Sequence, residues 1–183
     1  MDLGLSGRAC AVTGASRGIG RATARMLCAE GASVLLLARG ADDLEAAVAE
    51  CRDAAADGAA VEGLELDISA PDAGERLVGA ANESLGGLDV LVNNAGTARW
   101  RDLDDVPEED WYAAWELNVM APLRAMRAAV PAMAERGWGR VVNVSSTAGK
   151  RPSALMPEYS VAKAAELSLS GCSPTDTPSA ACW

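Results

Sequence analysis

Along the chain, short apolar runs alternate with longer, Ala-rich amphipathic stretches. The runs at residues 8–13, 33–38, 61–66, 88–92 and 140–144 have the length and the Val and Leu content of strands. The intervening stretches carry apolar residues at helical spacing, as Leu44, Ala47 and Val48 do. They predict helices over 18–30, 42–56, 73–85 and 108–136, the last interrupted around 118–122, and a further helix over 159–169. Strands alternating with helices imply right-handed βαβ units and a parallel sheet. From residue 171 the periodicity stops, and Pro174 and Pro178 mark the segment as coil. The expected organisation is one domain over 1–170 and a tail over 171–183.

Composition narrows the function. A chain of 183 residues, half of them hydrophobic, suits one domain with a substantial core. A net charge of −10 argues against nucleic acid as a partner, because such binders need a concentrated basic surface. A small or nucleotide-sized ligand stays open, since a local Arg cluster can override the global sign. There is no histidine, which removes His-based triads and most zinc sites. Cys10, Cys28, Cys51, Cys172 and Cys182 lack metal spacing and are odd in number, so they read as reduced thiols of a cytoplasmic protein. No signal-peptide pattern appears, and no apolar stretch approaches the ~20 residues of a membrane span. No membrane partner is expected.

Between the first strand and the first helix stands Thr13-Gly14-Ala15-Ser16-Arg17-Gly18-Ile19-Gly20. Glycine permits a tight turn and a close backbone approach to a pyrophosphate. The helix that begins there presents free N–H groups and its positive dipole end to the phosphates. The turn lacks the Gly-Lys-Ser/Thr ending of a P-loop, so an ATPase reading fits poorly.

The Gly-xxx-Gly-x-Gly spacing resembles that of the classical short-chain dehydrogenases/reductases. Further matches follow in that family's order: Asp67, Asn93-Asn94-Ala95-Gly96, Asn118, Ser145-Ser146 and Tyr159-xxx-Lys163. The resemblance covers residues from about 5 to 169. It implies a Rossmann-type doubly wound α/β sheet of order 3-2-1-4-5. It also implies hydride transfer between a nicotinamide dinucleotide and a small-molecule carbonyl or secondary alcohol. The turn and Arg39 look most like 3-oxoacyl-[acyl-carrier-protein] reductases. The implied cofactor contacts in the turn are Gly14, Ser16, Arg17, Gly18, Ile19 and Gly20. Beyond it they are Arg39, Asp67, Asn94, Ala95, Gly96, Tyr159 and Lys163. Asp67 would accept from the adenine amine, or serve as an ordinary strand-end cap. Asn93 would hold neighbouring strands together. Ala38 stands where NAD-preferring relatives carry an acid, and Arg39 with Arg17 can pair with a 2′-phosphate. NADP(H) is therefore expected over NAD(H), the alternative being two solvated surface arginines.

The implied catalytic group is Asn118, Ser146, Tyr159 and Lys163. Tyr159 and Lys163 are four apart on a predicted helix and share one face. A free phenol ionises near pH ~10, too high for efficient acid–base work, and a neighbouring ammonium favours the phenolate. Tyr159 would be the proton donor in reduction, with Lys163 supporting it and holding the nicotinamide ribose. Strand geometry lets only one of Ser145 and Ser146 face the site, and the resemblance selects Ser146 to hydrogen-bond the substrate oxygen. Asn118 would position a water linking Lys163 to solvent. Trp100, Trp111 and Trp115 read as partly buried packing, with apolar substrate contact as the alternative.

The resemblance stops early. The family continues with a sixth strand, a substrate loop and a seventh strand, which this sequence lacks. The strand at 140–144 is then expected to be an open apolar edge. Read two bases later with GC-rich wobble bases, the codons of the tail give LLADGYAVRGVL, which resembles the family's next segment. A frameshift near residue 171 is therefore expected. A catalytically inactive nucleotide-binding remnant is the alternative function. A methyltransferase reading leaves Ser146, Tyr159 and Lys163 without a role. A complete relative would form a homo-oligomer through the helices after strands four and five.

Overall fold

The computed structural model describes residues 3–172, so the expected tail, beyond its first two residues, lies outside the described residues. The elements are β1 (Ala9–Thr13), α1 (Gly18–Ala29), β2 (Ser33–Ala38), α2 (Ala41–Ala54), β3 (Val61–Glu65), α3 (Ala73–Leu85) and β4 (Val90–Asn93). They continue with α4 (Glu108–Trp115), a π-helical turn (Glu116–Met120), α5 (Ala121–Glu135), β5 (Arg140–Asn143) and α6 (Pro157–Ser170). All pairings are parallel and the order is β3-β2-β1-β4-β5, the doubly wound arrangement that the sequence predicts.

Strands buried on both faces explain the continuous apolar runs. In β1 and β2, alternate residues feed opposite layers. Cys10, Val12, Val34 and Leu36 pack with α1 and α2, including Ala24, Cys28, Leu44 and Cys51. Ala11, Leu35, Leu37 and Leu91 pack with α3 and α5, including Leu77, Ala81, Ala125 and Met133. Cys10, Cys28 and Cys51 are buried free thiols. Burial pushes the Cys10 and Cys28 thiols up to about 12, so both are protonated core side chains. Among the described residues, no helix is long and apolar enough to cross a membrane.

Two local departures from the sequence pattern bear on the site. The interruption expected around 118–122 is a π-helical turn over Glu116–Met120 that joins α4 to α5 without a break. Pro122 lacks the N–H that an α-helix would aim at the carbonyl of Asn118, which favours the looser turn there. At the other end of the sheet, β5 pairs only with β4 among the described strands, and Val142 on it is 47% exposed. It is the apolar edge that the sequence predicts.

The two glycines of α3 occupy contrasting settings. A Cβ on Gly74 would lie 2.6 Å from the Arg124 carbonyl oxygen on α5, whereas one on Gly79 would meet nothing within 4 Å. Gly74→Ala should lower stability by about 1–3 kcal/mol through overpacking against backbone. Gly79→Ala should raise it by up to ~1 kcal/mol through helix propensity. Urea midpoints at equal m-value check both signs.

Candidate active site

The chain runs outward from β1 through β2 to β3, then crosses back to β4 and continues to β5. The connections after β1 and β4 diverge, which leaves a crevice at the carboxyl ends of these neighbouring strands. A cavity of about 420 Å³ occupies it.

Thr13, the last residue of β1, holds the crevice together. Its Oγ1 accepts from the backbone N–H groups of Asn94 and Ala95, both at 3.0 Å, and donates to the Val92 carbonyl at 3.4 Å. Asn94 answers with its side chain. Its Nδ2 donates to the carbonyls of Thr13 at 2.9 Å and Gly14 at 3.2 Å. Asn93 has a different task, donating from Nδ2 to Asn143 Oδ1 at 2.8 Å and tying β4 to β5 as expected. Thr13 was visible at the head of the turn, but no feature of the sequence distinguished its hydroxyl from a buried strand threonine.

The turn passes close to the opposite loop. Gly14 has φ +65°, and a Cβ there would lie 2.9 Å from Ala95 Cα. Gly20 is buried, and a Cβ on it would collide with the Gly14 carbonyl and Asn94 Nδ2. Gly20 lies beneath the cavity rather than on its wall and lets α1 sit against the turn. Gly14, Ser16, Arg17, Gly18 and Ile19 line the cavity. Helix α1 starts at Gly18 with no side-chain cap, so its first amides are available to an anion.

The end of the cavity next to β2 and β3 is polar. Arg39 and Asp67 line it, and Arg17 and Arg39 are exposed without an ion pair among the described residues. Asp67 Oδ1 accepts from the Ser69 N–H at 2.9 Å, so the carboxylate caps its own loop while still facing the cavity. A neighbouring hollow of about 340 Å³ shares Arg39 and Asp67 and adds Arg76 of α3. No spacing in the sequence links Arg76 to the turn.

At the opposite end, Tyr159 and Lys163 of α6 line the cavity beside Ala95 and Gly96. Lys163 Nζ lies 5.9 Å from the centre of the Tyr159 ring. It donates to the Val144 carbonyl and to Glu166 Oε2, both at 2.9 Å. Asn118 sits behind Gly96, fully buried in the π-helical turn. Its Nδ2 donates to the Ala114 carbonyl at 2.9 Å, and its Oδ1 is buried without a partner among the described residues. A Cβ on Gly96 would stand 3.1 Å from that Oδ1 and 3.7 Å from Lys163 Nζ, so both groups converge on this glycine.

The serines divide differently from the simple expectation. Ser145, not Ser146, is in the cavity wall, and its Oγ donates to the Lys163 carbonyl at 3.4 Å. Ser146 Oγ accepts from the Ala148 N–H at 3.2 Å and caps the 3₁₀ turn Thr147–Gly149. The tryptophans are more exposed than the sequence predicts. Trp100 is 73% and Trp115 43% exposed, Trp111 is half-buried, and none lines the cavity. The packing role fits Trp111 alone, because α4 and the loop before it lie on the outer surface.

Comparison with known proteins agrees with this architecture. The family model described as short chain dehydrogenase matches residues 8–176. The 3-oxoacyl-[acyl-carrier-protein] reductase of Vibrio cholerae is 35% identical over 162 residues, which are 88% of this chain and 64% of that protein. A NAD+-bound xylitol dehydrogenase superposes with a TM-score of 0.89 at 30% identity, covering 97% of this chain and 68% of the other. L-Sorbose reductase from Gluconobacter frateurii, complexed with NADPH and L-sorbose, superposes with a TM-score of 0.88 at 37% identity. That match covers 93% of this chain and 64% of the other. The chain spans between about half and two-thirds of the length of the curated relatives it matches.

The Thr13 hydroxyl can be tested without any ligand. Thr13→Val keeps the shape but leaves two backbone N–H groups without their acceptor. It should cost about 1–3 kcal/mol, whereas Thr13→Ser should cost less than half as much. Urea unfolding of the two variants checks the order.

Proposed function

The chain belongs to the short-chain dehydrogenase family, and on that premise we propose that it binds NADP(H) in the cleft and interconverts a small-molecule carbonyl and secondary alcohol. The observation that carries this reading is the convergence of Tyr159, Lys163 and the Asn118-backed Gly96 at one end of a cavity that the glycine turn also lines. The residues fit a dinucleotide. The closely approached Gly14 and the uncapped start of α1 suit the pyrophosphate, and Asp67 suits the adenine amine. When bound, the nicotinamide would supply or accept the hydride.

The protein's own residues manage the proton. In reduction, the Tyr159 O–H bond breaks as its proton passes to the substrate oxygen, and the phenolate left behind faces the Lys163 ammonium. Oxidation runs the same transfer backwards. Although Ser145 and not Ser146 stands in the cavity wall, Ser146 is proposed to hold the substrate oxygen as charge develops on it. Its hydroxyl only accepts, from the Ala148 N–H, so its own hydrogen is available to donate. Ser145 already spends its hydrogen on the Lys163 carbonyl. Asn118 is proposed to anchor, through its unpartnered Oδ1, a water that connects Lys163 with solvent.

Preference for NADP(H) over NAD(H) rests on Ala38 at the end of β2 and on the unpaired Arg17 and Arg39 beside the cavity. An acid at position 38 would accept from a ribose 2′-hydroxyl and repel a phosphate; two guanidinium groups favour the phosphate. A cytoplasmic location and self-association through α5 and α6 belong to the same proposal.

Titration of the chain's tryptophan fluorescence should show NADPH binding at least tenfold tighter than NADH. The double variant Arg17→Ala/Arg39→Ala should erase that difference, and equal affinities in the parent would overturn the preference. Against a panel of ketones, Tyr159→Phe should lower kcat by roughly 10²–10⁴-fold with NADPH affinity retained. Ser146→Ala should cost roughly 10²–10³-fold and Ser145→Ala less. Unchanged turnover in Tyr159→Phe would sink the mechanism. Tight NADPH binding with no turnover on any ketone would instead favour the inactive nucleotide-binding alternative.

A further inference from the structure

Glu166 has no place in the mechanism above, yet it is the most buried acid among the described residues. It is 1% exposed and lies one turn beyond Lys163 on α6. Lys163 is itself only 2% exposed. An isolated ammonium or carboxylate would not tolerate that burial; each is sustained by the other. Their contact, Nζ to Oε2 at 2.9 Å, is a charge-assisted hydrogen bond, stronger than a neutral one of the same length.

The geometry gives this pair a directional consequence. A lysine ammonium is a rotatable point charge with three tetrahedral donors. The Val144 carbonyl fixes one N–H and Glu166 fixes a second. With two directions set, the third is determined. Lys163 lines the cavity, and its Nζ lies 3.7 Å from where a Cβ on Gly96 would stand, so the N–H that neither acceptor takes is the one left for the cleft. Without Glu166 a single hydrogen bond to a neutral carbonyl would remain to hold the ammonium and its flexible side chain in place.

We propose that Glu166 is a positioning residue that orients the Lys163 ammonium so that its third N–H is held for the cleft, shared there between the cofactor ribose and the water anchored by Asn118. This inference rests on the reading of Lys163 as a cofactor-contacting group. Glu166→Gln keeps the shape and an oxygen acceptor but loses the charge. Glu166→Asp keeps the charge but withdraws it by one methylene.

The chain has only two lysines, Lys150 and Lys163, so a sample labelled with ¹⁵N at lysine Nζ gives two ammonium signals. Lys150→Arg assigns them. NADPH is expected to shift the Lys163 signal of the parent and leave that of Lys150 in place. In Glu166→Gln the Lys163 signal should move before any ligand is added and lose its response to NADPH. NADPH affinity should fall on the order of tenfold, and Glu166→Asp should retain part of both. If Glu166→Gln fails to fold, as judged by circular dichroism, the same comparison is made with Glu166→Asp. A Lys163 signal and NADPH response that survive the substitution unchanged would overturn the proposal. If neither NADPH nor NADH shifts Lys163 in the parent, the cofactor reading of that lysine fails, and Glu166 is then a structural counter-ion only. If NADPH shifts Lys163 in both parent and variant, the cofactor reading stands and the positioning role alone falls.

Discussion

Everything in the cleft depends on how closely two strand ends approach each other. β1 and β4 are neighbours in the sheet, and the loops that follow them must separate to open a crevice yet remain linked to define it. The Thr13 hydroxyl and the Asn94 amide meet that demand by reaching across in opposite directions. The distance they enforce leaves no room for a side chain at Gly14 or Gly20. The glycines are thus a consequence of the strand spacing as much as a device for phosphates. Position of the turn, start of α1 and mouth of the cavity all follow from this one junction.

Charge is arranged against the molecule's overall sign. The chain carries −10 overall, yet Arg17 and Arg39 stand beside the cavity without described counter-ions. Several other arginines are neutralised locally: Arg99 and Arg101 both pair with Asp110, and Arg52 pairs with Glu62. Such surface pairs add little stability. Arg17 and Arg39 share the lack of an ion pair with Arg76, Arg127, Arg140 and Arg151 among the described residues, and what sets these two apart is that both line the cavity.

Most of the fold was legible because parallel strands are apolar on both faces and their helices are amphipathic. Ser33–Ala38 and Ala73–Leu85 have the ends that their periodicity predicts, and Gly86 at φ +76° closes the latter. The strand order came from the family resemblance rather than from periodicity, which carries no information about neighbours. The glycine turn, Tyr159 and Lys163 were legible because their spacing is local to one turn or one helix face. Thr13 and Glu166 were not, since each takes its contacts from a partner whose position only folding supplies. For Thr13 those partners, Val92, Asn94 and Ala95, lie far away in sequence. Glu166 is only three residues from Lys163, but a Lys-x-x-Glu pair on a helix is normally a solvated surface pair, and nothing in the sequence indicates that this one is buried. The form of the interruption near Asn118 was also hidden: Pro122 marks a weak point in the helix, but a π-helical turn and a kink share that signal.

The burial of charge in α6 separates what stabilises this domain from what equips it. A helix packed on a sheet gains most from apolar residues on its inner face, and Ala162 fills that role. Lys163, Glu166 and Glu158 are also buried on α6, and Glu158 Oε2 has no partner among the described residues. A buried ion pair commonly contributes less than well-packed hydrophobic residues of the same volume. Lys163 and Glu166 therefore make poor sense as stabilisers. They make sense if the helix must carry a fixed positive charge to the floor of a cleft, because only a partnered charge stays where it is placed. The helix then depends on the rest of the domain for stability, and the apolar layers on both faces of the sheet supply it.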